Sequence, residues 1–338
     1  MIAFLIRLFL VASISIAASA AKPNAVSSAS AAKSNAVSAA SAGKPNLIFI
    51  LCDDWGFANL GIHNPGNKNV VTPNIDRIIS TEGLLLNRSY VFKYCSPSRS
   101  AFQTGRNPIH VNVLNSDITQ HNIKEPLSGF QGAAVNFTGI GNKLKSVGYS
   151  TSAVGKWNAG IAYKKVTPVG RGYDSSLIYY DYDTFFFNGT RHMCKPQGIT
   201  TDLSISYGQS LLPATTLNNT WACSQSDQST NACPHGYQDD LFFSHVVDFL
   251  TNSSKNPNIP FFLFWAPHAP HDPYEVPDEY LQKFSFIDQP ERKFYSAMVN
   301  YLDNNFGKLE AMLKSSGLWN NTLVVVSSDK YVFSINDD

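Results

Sequence analysis

The chain has 338 residues, 43% hydrophobic and 15% charged, with 21 Gly and 18 Pro. That apolar content supplies at least one large core and excludes a collagen-like repeat, a coiled coil and a wholly disordered chain. Lys+Arg 26 against Asp+Glu 25 leaves a formal charge of +1, so no global field draws the protein to nucleic acid or to an anionic membrane, and any anion recognition must be local.

Met1–Ala20 is an apolar run broken only by Arg7 and closing on Ala18-Ser19-Ala20, the pattern of a secretory signal with its cleavage site. Its uninterrupted stretch is shorter than the ~20 residues of a spanning helix, and no later segment reaches that length. The expectation is the secretory pathway, an extracellular or lysosomal destination, and no membrane span after signal removal. Residues 21–43 are mostly Ala, Ser, Asn, Val and Lys, and Lys22-Pro23-Asn24-Ala25-Val26-Ser27 recurs as Lys33-Ser34-Asn35-Ala36-Val37-Ser38. Ala buries too little area to offset chain entropy, so this stretch reads as a disordered linker without chemistry.

Asn46–Cys52 is a continuous apolar run bounded by Pro45 and Asp53-Asp54, as in a strand buried on both faces of a parallel sheet. A helix is predicted over Pro73–Glu82, with Thr72 as N-cap, Pro73 at its first position and Gly83 beyond its end. Another is predicted over Ser98–Thr104, stopped by Gly105. Thr138–Val147 reads as a helix closed by Gly148, Tyr149–Val154 as a strand leading to Gly155-Lys156-Trp157, and Asp239–Leu250 as an amphipathic helix. Pro260–Trp265 is a second apolar strand, followed by Ala266-Pro267-His268-Ala269-Pro270-His271. Tyr295–Ser315 is a long helix ended by Gly317, and Thr322–Ser327 a third strand running into Ser328-Asp329. The alternation predicts an α/β fold with a mostly parallel sheet, whose ligand edge lies just beyond the strand ends.

Six Asn-x-Ser/Thr sequons begin at Asn87, Asn136, Asn188, Asn218, Asn252 and Asn320, and with the leader they support passage through an oxidising, glycosylating compartment. The five cysteines are Cys52, Cys95, Cys194, Cys223 and Cys233; an odd number leaves at least one thiol with another fate. Cys223 and Cys233, in a polar stretch, are the disulfide candidates, with Cys194 as a competitor. Cys52 sits in an apolar strand as a buried thiol, which leaves Cys95 to be explained.

Cys95 opens the block Cys95-Ser96-Pro97-Ser98-Arg99, continued by Ser100-Ala101-Phe102-Gln103-Thr104-Gly105-Arg106. Cys-x-Pro-x-Arg alone arises by chance in roughly one chain in a hundred of this length, and the Thr-Gly-Arg extension makes the block far rarer. The block resembles the signature of the sulfatase family, whose Cys is converted in the secretory pathway to formylglycine by a formylglycine-generating enzyme. The chain is especially similar to the arylsulfatase B-like (N-acetylgalactosamine-4-sulfatase-like) branch. The resemblance runs from Lys44 to about Asp329, through Lys44-Pro45-Asn46, Asp53-Asp54, Thr72-Pro73-Asn74, Gly155-Lys156-Trp157, Arg171-Gly172-Tyr173, His271-Asp272-Pro273, Val276-Pro277 and Ser315 to Thr322.

That resemblance implies an alkaline-phosphatase-like α/β/α sandwich, incomplete at the C-terminus, and hydrolysis of an aryl sulfate or a sulfated carbohydrate. It implies one calcium ion (Ca2+) with Asp53, Asp54, the modified Cys95 and Asp329 as ligands. Arg99 would bind the hydrated aldehyde and Lys156 the sulfate and the nucleophile. His271 would donate to the leaving oxygen, with His268 assigned beside it to substrate binding and loop capping as the alternative for His268. The residue types suit the reaction: a geminal diol offers one hydroxyl to attack sulfur and another to expel sulfate, and a hard cation polarises the sulfuryl oxygens. The competing readings are a phosphoester hydrolase of the same superfamily, and a pseudosulfatase that binds sulfated glycans without turnover.

Three departures from the family pattern bear on activity. Asn158 stands where the family carries a His that takes the proton as sulfate is expelled, and an amide cannot do so. Lys330 stands where a neutral Asn ligand follows Asp329. The chain ends at Asp338, before the second sulfate-binding Lys and the smaller C-terminal domain of the family. Lys330-Tyr331-Val332 can be encoded with an intron-donor pattern, so residues 330–338 are read as a non-family tail, translated intron. The strand at Thr322–Ser327 is then expected to present an unpaired edge and to promote aggregation or retention during secretion.

Overall fold

The predicted apolar runs form the centre of one twisted sheet in the computed structural model, which describes residues 3–6, 43–111, 132–162, 164–187, 189–192, 199–208, 210–213 and 236–330. Strands β1 (Ala3–Ile6), β2 (Asn46–Cys52), β3 (Gly83–Leu86), β4 (Ser150–Lys156), β5 (Ser175–Tyr179), β8 (Ser204–Tyr207), β9 (Ser210–Pro213), β10 (Phe261–Ala266) and β11 (Thr322–Ser328) pair in the order β3-β1-β11-β2-β10-β4-β5-β8-β9. β6 (Thr190–His192) and β7 (Ile199–Thr201) form a separate two-stranded ribbon. The five central strands, β11-β2-β10-β4-β5, are parallel; β1, β8 and β9 run antiparallel to their neighbours. Linker residues 21–42, Cys194, Cys223, Cys233, Asn188, Asn218 and the tail beyond Lys330 lie outside the described residues.

Two-sided burial explains why these strands read as unbroken apolar runs. Along β10, Phe261, Leu263 and Trp265 enter one core, while Phe262, Phe264 and Ala266 enter the other. The first core is closed by α1 (Pro73–Thr81), α4 (Gln238–Ser254) and α6 (Pro290–Ser315), which contribute Ile75 and Ile78, Phe242 and Val246, and Leu302 and Phe306. The second is closed by α2 (Cys95–Thr104) and α3 (Ile140–Ser146), with Phe102 and Leu144 packed onto it. The result is the expected α/β/α sandwich. A short α5 (Asp278–Leu281) packs on α6 around Tyr280 and Tyr301.

Three expectations are corrected. α2 starts at Cys95 rather than Ser98: Pro97 is tolerated in a first turn, where its missing N–H has no helical partner, and the Ser98 hydroxyl accepts from the Phe92 amide at 3.1 Å instead of capping the helix. Thr72 occupies the N-cap position of α1 without capping it; its hydroxyl donates to Asp76. The orphan amides of Asn74 and Ile75 are taken by Asp303 of α6, at 3.1 and 2.9 Å. Finally, β11 has no unpaired edge in the full chain, because β1 pairs with it from Ala3↔Ser327 to Ile6↔Val324 and pairs with β3 on its other side. Four residues of the predicted leader therefore fill a strand position in the sheet.

Candidate active site

Parallel pairing brings the C-terminal ends of β11, β2, β10 and β4 to one edge, and each end delivers a predicted site residue. Ser328 pairs with Cys52, and the Asp329 amide donates to the Cys52 carbonyl at 3.1 Å, which sets Asp329 beside Asp53. Lys156 is the last residue of β4, and His268 and His271 lie in the turn after β10. Gly155, at φ +95, has the Ala266 carbonyl of β10 so close that an added Cβ would lie 1.9 Å from it. Only glycine permits this approach, which fixes Lys156 against the neighbouring strand. Cys95 is the first residue of α2, so the positive end of that helix faces the same point.

The polar groups form one buried network. Lys156 Nζ donates to Asp53 Oδ2 at 2.5 Å and lies 3.5 Å from Cys95 Sγ, which itself is 3.4 Å from Asp53 Oδ1. Arg99 donates from Nε to Asp329 Oδ2 at 2.8 Å and from Nη1 to the Lys156 carbonyl, while its Nη2 lies 2.8 Å from Asp329 Oδ2 as an ion pair. Asp329 Oδ1 accepts from the Asp54 amide at 3.3 Å. His271 places Nε2 at 3.5 Å from Asp54 Oδ2, while its Nδ1 faces the Asp272 carbonyl at 2.5 Å and carboxylate at 3.0 Å. Ser96, next to Cys95, donates to Asn158 Oδ1 at 2.7 Å. Asp54 and Asn158 have φ of 63° and 45° without being glycine, local strain of the kind that persists at functional sites when the surroundings over-determine it.

Electrostatics sort these groups. Burial opposes ionisation of Asp53, but Lys156, His271 and Arg99 outweigh it and hold the carboxyl well below its ordinary range. Burial followed by the Asp53 charge pushes Asp54 up to about 6 and Asp329 up to about 7, against the pull of Lys330 and Arg99 respectively. Burial works against charge on Arg99 and Lys156 as well, yet the surrounding carboxylates keep both firmly protonated. The Cys95 thiol is raised well above its usual value by burial, Asp329 and Asp53, so it is a protonated thiol and a poor nucleophile as it stands.

Asp53, Asp54, Cys95 and His271 each offer a ligand atom, all within 4.8 Å of one another. This set differs from the predicted one: His271 joins it, while Asp329 is engaged by Arg99 and the Asp54 amide. Two carboxylates suit a hard cation, whereas sulfur suits a softer one; oxygens in place of sulfur at position 95 would make the set oxygen-rich. Asp54 Oδ1 is buried without a hydrogen-bond partner among the described residues, a donor a cation would satisfy. These residues fit a divalent ion, with Lys330 as the opposing feature, since its Nζ lies 2.6 Å from Asp54 Oδ2.

His268 lies beside the site, its ring centroid 5.9 Å from that of His271, with Nε2 buried and without a hydrogen-bond partner among the described residues. It is 0% exposed, stacked on Phe186 at 3.9 Å, with Nδ1 3.0 Å from Gln238 Oε1. Burial followed by the nearby His271 drives its pKa well down, which keeps the ring neutral. Its loop is held by Asp239, whose carboxylate accepts from the His268 and Ala269 amides at 2.9 and 2.8 Å. Sequence reasoning missed Asp239 as a positioning residue, because an acidic residue at a helix start already complements the helix dipole. Ser96 was likewise passed over inside the Cys95 block. Four sequon asparagines, Asn87, Asn136, Asn252 and Asn320, are described, and all are exposed.

The sulfatase family pattern matches residues 45–332. Arylsulfatase J of Mus musculus is 32% identical over 287 residues, 84% of this chain and 42% of that protein. N-acetylgalactosamine-6-sulfatase of Rattus norvegicus is 26% identical over 284 residues, 84% of this chain and 49% of that protein. Among solved structures, Ps i-CgsB in complex with k-i-k-neocarrahexaose superposes with a TM-score of 0.63 at 27% identity, over 85% of this chain and 58% of that one. The chain thus spans less than half the length of these two curated relatives.

Proposed function

The chain belongs to the sulfatase family, and from that premise we propose that it is an arylsulfatase-type sulfuric ester hydrolase acting on sulfated carbohydrate through a formylglycine made from Cys95. The observation that carries this reading is the convergence of Cys95, Lys156, Asp53, Asp54 and His271 at one buried strand edge. A buried, protonated thiol has little use there, whereas a hydrated aldehyde on the same carbon offers two hydroxyls.

One hydroxyl oxygen would attack sulfur as the bond from sulfur to the sugar oxygen breaks. His271, with Nδ1 held by Asp272, would deliver a proton to that departing oxygen. The second hydroxyl would then lose its proton, the aldehyde would re-form and sulfate would leave. Lys156 and the N-terminus of α2 oppose the charge of the sulfuryl group, and Arg99 locks Asp329 and the Lys156 carbonyl behind the reacting carbon. Calcium held by Asp53, Asp54 and residue 95 would supply the charge that polarises the sulfuryl oxygens and lowers the pKa of the nucleophile.

The neocarrahexaose complex of Ps i-CgsB and the name of N-acetylgalactosamine-6-sulfatase support a sulfated carbohydrate as the substrate class. The leader and the exposed sequons support a secretory route, extracellular or lysosomal, where the formylglycine-generating enzyme would act. No described helix is long and apolar enough to cross a membrane.

A second reading, a sulfated-glycan binder impaired in turnover, is favoured by two side chains. Asn158 is buried and already engaged by Ser96, and an amide cannot take the proton of the second hydroxyl. Lys330 occupies Asp54. Single-turnover and steady-state assays on an aryl sulfate, using formylglycine-bearing chain, test the proposal. It expects a burst of one alcohol per site followed by a stall. A steady rate without a burst contradicts the role given to Asn158, and absence of any alcohol release, burst or steady, contradicts hydrolysis.

A further inference from the structure

Far from this edge, a cavity of about 460 Å³ opens between α4 and the opposite ends of β4, β5 and β8. Ser150 and Ser175 begin β4 and β5, and Tyr207, which pairs with Ser175, ends the antiparallel β8. Lys156 at the other end of β4 is about 20 Å away by strand rise, so the cavity has no part in the sulfate site. Its volume falls within the ~300–1,000 Å³ that small ligands occupy.

The mouth carries two features that belong together. Tyr207 and Ile259 are 59% and 51% exposed, and with Phe249 they give the cavity an apolar wall. Beside them lies Asn252, in the last turn of α4, exposed and first residue of the sequon Asn252-Ser253-Ser254. Its Oδ1 accepts from Lys255 Nζ at 3.3 Å, a bond that substitution on the amide nitrogen leaves intact.

We propose that Asn252 is N-glycosylated and that the first N-acetylhexosamine units of that glycan lie in this cavity. The apolar face of a pyranose matches the exposed Tyr207 ring, an amphipathic surface, and the sugar hydroxyls meet Ser150 and the Ser175 hydroxyl, which donates to Ser152 Oγ at 3.0 Å and is left to accept. In the modifying step, Nδ2 of Asn252 forms a bond to the anomeric carbon of a lipid-linked oligosaccharide. The bond from that carbon to the lipid diphosphate breaks, and the diphosphate leaves as the amide nitrogen gives up a proton. Tethering makes the second contact intramolecular, so a weak sugar site is filled by its own glycan. The proposal rests on the secretory route and not on sulfate chemistry.

The test is the full chain made in a glycosylating cell, with site-by-site occupancy from peptide mass spectrometry and endoglycosidase cleavage followed at each site. Asn252 is expected to be occupied, and its glycan to be released at least tenfold more slowly from the native chain than those on Asn87 and Asn320, with the difference gone after denaturation. Tyr207→Ser, at an exposed position, is expected to abolish the protection. An empty Asn252 beside occupied Asn87 and Asn320 overturns the proposal; absence of glycan at every sequon overturns it together with the secretory route. Equal native rates, protection that survives Tyr207→Ser, or protection that grows with protein concentration and so comes from a second copy, also overturn it.

Discussion

Under the proposed function, the Asn158 side chain decides between turnover and a stall. Its φ of 45° is a conformation that His, like Asn, adopts more readily than most residues, so the backbone at this position suits Asn158→His. A positioned general base contributes ~10²–10⁴-fold, and steady-state turnover of formylglycine-bearing chain is expected to rise by that order in Asn158→His while the burst disappears into the steady rate. Lys330 is the second such residue. The site holds Asp53, Asp54 and Asp329 against Arg99, Lys156 and Lys330, a balance that leaves no surplus negative charge for a dication. Removing the Lys330 charge in Lys330→Asn is expected to tighten calcium binding at least ~10-fold, about 1.4 kcal/mol, by calorimetry on the purified chain. Unchanged affinity would show that the ammonium does not compete.

At the scale of elements, the strands and helices that pack two-sidedly were legible, because burial writes itself into continuous runs and 3.6-residue periods. Devices that span the chain were not. Thr72-Pro73 reads as a local N-cap, yet the amides it should serve are 229 and 228 positions in sequence from Asp303, which takes them. Short strands such as β3, β5 and β8 were missed because runs of four or five residues are too short to carry a period. The Asp303 cap has a pH signature. Burial raises its carboxyl to about 6 despite the Asn74 and Ile75 amides, so the folded chain holds this proton more tightly than the unfolded chain. Its contribution is present near pH 4 and is lost as pH rises through 6, on the order of 2 kcal/mol. Urea unfolding at pH 4.5 and 7.5 is expected to show a smaller pH-dependent loss in Asp303→Asn than in the parent, while Asp303→Ala should be destabilised by about 1–3 kcal/mol at either pH.

Across the whole molecule, the candidate site is built from β2, β4, β10 and β11, and β11 depends on what lies at its outer side. The residues that converge there were legible in the block around Cys95 and in the carboxylates after strand ends; the sharing of Asp329 with Arg99 and the burial of His268 were not, since both arise from packing between distant segments. In the full chain β1 supplies the outer neighbour of β11. Cleavage after Ala20 would remove it and leave the backbone groups of β11 unpaired, an edge prone to association. A chain beginning at Ala21 is therefore expected to run as aggregate by size-exclusion chromatography with light scattering, under conditions where the 338-residue chain is monodisperse. A monodisperse trimmed chain would mean that β11 is closed in another way.

The proposed hydrolysis turns on residue 95 as the bearer of the chemistry. Peptide mass spectrometry across Cys95, on chain made in a cell that carries the formylglycine-generating enzyme, tests that most directly. The expected result is a peptide with formylglycine at position 95 that no thiol reagent labels after unfolding; a peptide with an unmodified, alkylatable Cys95 would contradict it.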